Sequence, residues 1–319
     1  NRIEKNWSEI KEFFNMLTYW YNDRSLYHLI GFLIECGISI LQLKDWTKEE
    51  ADSTKSLNKS KYLEKIKDEV SNIMKDVNVD TISYGDDKMK QTLLLFNVLT
   101  VLDSDKSNVR FPFDSYKKES WDKEHIASQT DRNKTPKGSE LVEWVNDMLF
   151  YFLGVDGVEN KNEKIGRDEA IYNEAVIALE DFRQSNTDKL DLIEICNNLV
   201  SLKNTLNEGT PEVEDVKKMF DLTDKHFGQD RIKPEEKDLI KNMALLNSSI
   251  NRAYGNAYFA VKRMFIKEND RTGVFVPIAT KNVFMKYYSS KIDNMMYWEP
   301  EDANDYLEAI KRIFNKYLN

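Results

Sequence analysis

Glu124, His125 and Ile126 place an acid, a base and an apolar anchor in consecutive positions. More than a hundred residues later, Asn242 and Asn251 stand nine positions apart. Together these residue types could hydrolyse a phosphodiester. That reaction needs a base beside the attacking water and a hard cation near the leaving oxygen. His125 suits the first task, because imidazole titrates near neutral pH. Oxygens of Glu124 and Asn251 suit the second, because Mg²⁺ takes oxygen ligands and keeps several waters; Mn²⁺ accepts the same donors. Asn242 can hold the loop and the ring in place by hydrogen bonds. The bland alternative is a partly buried, satisfied histidine, with the asparagines at a strand end and a helix cap.

The elements that would position these residues are mostly helices. The chain has 319 residues, with 41% hydrophobic and 12% aromatic side chains, enough for a packed core. Only 11 Gly and 6 Pro argue against a many-turned β architecture. Residues 1–104 read as a helical bundle. Ile10, Phe13, Phe14, Leu17, Trp20 and Tyr21 recur at helical steps, the spacing of one apolar face directed at a core. Leu26–Leu43 reads as a second, buried helix, with His28 structural within it. Further helices are expected over Tyr62–Met74 and Met89–Leu102.

From 105 onward the pattern changes. Val109, Phe111 and Phe113 alternate around Pro112, which suits a short strand. Trp121–Ala127 reads as a strand, residues 129–137 as a loop rich in turn residues, and 139–153 as a helix. Residues 155–235 form an acidic helical insertion with an exposed His226. Leu239–Leu246 can form a second strand and Ile250–Lys267 a helix, giving a ββα unit. Gly255 disfavours a helix interior, so the helix can instead start near Asn256. Asn256 is therefore the alternative to Asn251 as metal ligand. Helices near Lys281–Ile292 and Asp302–Leu318 close the chain.

Charge is uneven. Residues 151–240 hold 12 Lys and Arg against 21 Asp and Glu, a net of −9; residues 241–319 hold 12 against 8, a net of +4. Non-specific DNA affinity comes mostly from local cations on phosphates, so the basic end is the candidate DNA surface, with Lys262 and Arg263 facing phosphates. An unevenly charged, solvated helix surface is the alternative. Cys36 and Cys196 form no CxxC pair, which disfavours a thiolate zinc or a disulfide framework and suits a reducing cytoplasm. No signal peptide is read at the start. Tyr27–Leu43 is short and contains Glu35, so no membrane span is expected.

Around the candidate site the sequence resembles a known family. Arg110–Phe113, Trp121–Gln129, Thr92–Asn97, Lys241–Asn251, Asn256–Arg263, Phe275–Thr280, Val283–Phe284, Tyr287–Ser289 and Trp298 are similar, with gaps, to the C-terminal HNH (ββα-metal) nuclease region of GmrSD-type modification-dependent restriction and phage-defence proteins. The resemblance implies a cytoplasmic, metal-dependent DNA endonuclease or nickase acting on DNA, modified phage DNA included. It implies His125 and Asn242 as catalytic residues and Glu124 with Asn251 on Mg²⁺ or Mn²⁺. The ParB-like nucleotide-binding half usual in that family has no counterpart in these residues; it is expected in the full-length protein, and an oligomer is left open. Two other readings stay open: an inactive helical interaction module of a defence complex, and an RNase using the same site.

Overall fold

The fold is mainly α. In a computed structural model, which describes residues 2–48, 57–104, 106–128, 137–155, 166–227, 232–248, 257–291 and 295–318, the regular structure is thirteen α-helices, two short 3-10 turns and one two-stranded sheet. The first half holds α1 (Arg2–Asn22), α2 (Arg24–Glu35), α3 (Ile40–Asp45), α4 (Lys59–Met74), α5 (Met89–Asp103) and α6 (Phe113–Lys118). The strands are β1 (Trp121–His125) and β2 (Met243–Asn247). Between them run α7 (Ser139–Leu153), α8 (Arg167–Ser185), α9 (Leu190–Glu208) and α10 (Val213–Phe227). After β2 come α11 (Phe259–Arg271), α12 (Ile278–Phe284) and α13 (Pro300–Leu318). Among the described residues, no helix is long and apolar enough to cross a membrane.

Helix α5 is the spine. Its sequence is apolar on nearly every side, and eleven of its fifteen residues are buried. A helix that is hydrophobic all round must be surrounded. It packs against α2, α12, α13 and both strands. Its one buried amide, Asn97, is put to use: Nδ2 donates to the Leu93 carbonyl at 2.9 Å, and Oδ1 accepts from the Ala279 N–H at 2.8 Å. Asn97 thereby fixes the start of α12.

The two strands pair antiparallel, with Trp121 opposite Asn247 and His125 opposite Met243. All of β2 is buried, so its carbonyls must find donors inside the protein. The Thr280 hydroxyl donates to the Leu245 carbonyl at 2.6 Å, and the Tyr306 hydroxyl donates to the Met243 carbonyl at 3.1 Å. Side chains of α12 and α13 thus seal the strand that follows Asp238 and Asn242.

Several expectations need correction. The span 26–43 is two helices rather than one. Gly37 takes φ +94°, and Ser39 with Gln42 forms a capping box that starts α3 afresh. No strand forms over residues 107–112, because side chains of α2 take the backbone groups a partner strand would use. The Phe111 N–H donates to His28 Nε2 at 3.0 Å, the Tyr27 hydroxyl donates to the Phe111 carbonyl at 3.0 Å, and Arg24 Nε donates to the Val109 carbonyl at 3.3 Å. The second strand begins at Met243 after a 3-10 turn at Ile240–Asn242. His226 is half-buried against Phe152 and Phe227 rather than exposed, and burial lowers its pKa. The aromatic stripe of α1 does not face the core: Ile10, Phe14, Leu17 and Tyr21 are exposed, and only Trp20 is buried.

His28 joins α2 to the 107–112 segment. Nδ1 lies 2.7 Å from the Arg24 carbonyl, and Nε2 accepts from Phe111. Both contacts suit the neutral ring, and burial lowers the pKa from 6.5 to about 4. The unfolded chain therefore binds more protons than the folded one between those values, and stability falls as pH drops from about 6.5 toward 4. Over that window the expected loss from His28 is about 3 kcal/mol, read by urea unfolding at pH 7.5, 6, 5 and 4. His28→Leu leaves the Phe111 N–H unsatisfied, costs about 1–3 kcal/mol at pH 7.5, and flattens the slope.

Candidate active site

Three chain segments meet at the end of β1. The strand alternates buried Trp121 and Glu124 with the more exposed Asp122 and Lys123, and delivers His125 at its edge. Beyond it, Ile126, Ala127 and Ser128 are buried. Residues 237–242 approach from the other half of the chain. They are tied to residues 82–84: the Tyr84 N–H donates to the Asp238 carbonyl at 2.8 Å, and the Ile240 N–H to the Ile82 carbonyl at 3.2 Å.

This anchoring sets Asp238 beside His125. Nε2 of the imidazole lies 2.9 Å from Asp238 Oδ1. The His125 side chain is 13% exposed and Asp238 49%, so the imidazole is mostly covered and the carboxylate borders solvent. Tyr84 stacks on the imidazole with ring centroids 5.0 Å apart and planes 24° from parallel. On the tyrosine stands Lys123, its Nζ 4.4 Å from the ring centroid. A carboxylate, an imidazole, an aromatic ring and an ammonium thus line one edge of the sheet.

Asn242 is fully buried, and its side chain makes three hydrogen bonds. Its Oδ1 accepts from the Ala127 N–H at 2.8 Å, while Nδ2 donates to the carbonyls of Ala127 at 3.1 Å and Lys237 at 2.8 Å. Its backbone carbonyl accepts from the Ile126 N–H at 2.9 Å. Asn242 therefore locks the chain after His125 to the chain before Asp238. It holds the loop, as expected; the ring is held by Asp238.

Lys262 differs most from expectation. It is 1% exposed, in the apolar face of α11, and pairs with the buried carboxylate of Glu124. Its Nζ also donates to the His125 carbonyl at 2.7 Å. The expectation that Lys262 faces phosphates is thus overturned: its ammonium is sealed inside, where a buried charge persists only when paired. The same pair corrects the metal expectation for Glu124. A carboxylate neutralised by an adjacent ammonium is a poor cation ligand, because the ammonium repels the metal. Arg263 is half-buried with its charge close to Tyr151 of α7, and its Nε has no hydrogen-bond partner.

Asn251 and Asn256, the two candidate metal ligands after β2, lie outside the described residues. Among the described residues, no group of three or more His, Cys, Asp and Glu side chains is placed to hold a metal. The described residues do not by themselves fit Mg²⁺ or Mn²⁺. Sequence reasoning missed Asp238, one acid in a charged run from Glu235 to Lys241. Only its position four residues before Asn242 set it apart. Compared with known proteins, the chain matches no family, no curated protein and no solved structure.

If Lys262 is an internal strut, its loss is a stability event. Lys262→Ala strands Glu124 and costs about 3–5 kcal/mol, read as a drop in the urea midpoint. Lys262→Met with Glu124→Leu recovers most of it, because a well-packed apolar pair replaces two buried charges. A loss within about 0.5 kcal/mol for Lys262→Ala, typical of a surface cation, would show that the pair is not a strut.

Proposed function

We propose that this chain is a phosphodiester hydrolase of the HNH type, a DNA endonuclease or nickase of a restriction or phage-defence system. The single observation that carries the reading is the His125–Asp238 pair, a partly exposed imidazole oriented by a carboxylate at 2.9 Å. With Nε2–H donating to Asp238, Nδ1 is left as the base. Water attacks phosphorus, its proton passes to Nδ1, the bond from phosphorus to the leaving oxygen breaks, and that oxygen takes up a proton from solvent. Asp238 stabilises the imidazolium that forms, the role of the third member in a base–orienter arrangement. Asn242 positions without touching substrate, by fixing the backbone on either side of the pair. Lys123, beside Tyr84 and His125, takes over the phosphate-facing task first assigned to Lys262. The basic balance of residues 241–319 supports a polyanionic substrate.

Dependence on Mg²⁺ or Mn²⁺ enters through the family resemblance. A second reading, the inactive interaction module, draws support from one observation: Lys262 occupies the Glu124 carboxylate expected to bind metal.

Relaxation of supercoiled plasmid separates the two. His125→Ala is expected to lower the rate by about 10²–10⁴-fold with the fold intact, and Asp238→Asn by about 10–100-fold. EDTA is expected to abolish cleavage, and Mg²⁺ or Mn²⁺ to restore it. Wild-type rates in His125→Ala would remove the site, and undiminished cleavage in EDTA would remove the metal. Lys123→Ala is expected to weaken DNA binding and to reduce its salt slope by about one unit, measured by fluorescence anisotropy from 50 to 200 mM salt. An unchanged slope would take Lys123 off the DNA surface.

A further inference from the structure

Helix α1 carries an apolar stripe that the described residues leave largely uncovered, Tyr21 alone meeting Tyr27 of α2 and the Arg110 guanidinium. Ile3, Trp7, Ile10, Phe14, Leu17 and Tyr21 are between 36% and 76% exposed. Every residue from 2 to 12 is exposed, so three turns of the helix stand in solvent. A free segment of that length is marginal as an isolated helix in water. The stripe follows alternating steps of four and three, the 3.5-residue repeat that keeps a seam aligned only against another helix. Its face differs from the one holding Trp20 and the half-buried Phe13 and Met16 to the body by about a third of a turn. A partner helix can therefore lie along the stripe and meet α2 only at its Tyr21 end, where Tyr21 touches Tyr27.

We propose that a second copy of this chain covers the stripe, its α1 running antiparallel. The residue types choose both partner and direction. The three aromatic side chains occupy one seam position and the three aliphatic ones the other. Two parallel copies would stack Trp7 on Trp7 and Phe14 on Phe14, alternating crowded layers with thin ones. Antiparallel copies pair Ile3 with Tyr21, Trp7 with Leu17 and Ile10 with Phe14, one aromatic against one aliphatic in every layer. Facing large with small fills a core evenly. The projecting half of each helix then rests on the anchored half of its mate. The register has two-fold symmetry, the commonest closure for two identical chains.

Size and charge agree. Three rings of about 150–250 Å² each, roughly two-thirds exposed, offer ~300–500 Å² per copy. With the aliphatic side chains, two copies remove on the order of 1,000 Å² from water, the size at which a specific interface begins. Arg2, Lys5 and Lys11 balance Glu4, Glu9 and Glu12, so the helices carry no mutual net repulsion. The two Lys11 side chains meet near the axis, a like-charge contact that costs little where both reach water.

Sedimentation velocity on the full chain across micromolar concentrations tests the dimer. The expected result is a reversible dimer with a Kd on the order of micromolar, weakened at least about 30-fold by Trp7→Glu or Phe14→Glu. Thermal melting of the variant monomers is expected to match the wild-type monomer, because the replaced side chains lie mostly in solvent. Under mild oxidation, Ile3→Cys chains mixed with Tyr21→Cys chains are expected to cross-link to each other beyond the wild-type background set by Cys36 and Cys196. Ile3→Cys chains alone are not, since antiparallel copies hold those positions roughly 27 Å apart. A monomer at every concentration, a dimer indifferent to both glutamates, or self-cross-linking of Ile3→Cys would each overturn the proposal. So would a monomer that sediments with anionic lipid vesicles through the same residues, which would assign the stripe to a membrane surface.

Discussion

One buried ammonium holds the candidate site together. Lys262 reaches from α11 into the interior and satisfies two acceptors on β1, the Glu124 carboxylate and the His125 carbonyl. The residues it joins are separated by nearly 140 positions of chain and, among the described residues, by the four helices α7 to α10. A buried charge pair is weak support for stability as such, because desolvation offsets most of the attraction. Its consequence is specificity of placement: a helix carrying an internal lysine has few stable positions, and one of them brings α11 against the strand that ends in His125.

The other contacts follow the same logic of chain-distant polar groups satisfying one another. Asn242 binds the backbone after His125, while Asp238 binds the ring itself. Because Tyr84 also anchors the Asp238 backbone, the imidazole is gripped on its edge by a carboxylate and on its face by a phenol ring. Residues from before β1, from β1 and from before β2 converge there. The helices between the strands can vary in length at modest cost, since closing a longer loop adds little entropy once its ends are fixed.

What the sequence made legible was whatever depended on local periodicity. The α4 face through Ile66 and Val70, the apolar run of α5 and the span of α7 all follow from spacing alone. The β1 strand and the pairing of its end with residues near 242 were legible too, because residue types suited to one reaction cluster there. Periodicity failed where burial depends on what lies opposite. The α1 stripe reads as a core face, yet its seam faces outward. A lysine in a basic stretch reads as a surface cation; only its apolar neighbours Phe259, Ala260 and Val261 hinted that Lys262 is interior. Asp238 carried no local mark beyond its place four residues before Asn242, since its partner is more than a hundred residues away.

The claim that His125 and Asp238 act as one unit is tested most directly by a double-mutant cycle on phosphodiester cleavage. Rates would be measured for the wild type, His125→Ala, Asp238→Asn and the double variant under one set of conditions. The account predicts that Asp238→Asn slows cleavage when His125 is present and changes nothing once His125 is gone, because an orienting carboxylate has no task without its ring. Equal slowing in both backgrounds, or a wild-type chain that cleaves no phosphodiester, would contradict it.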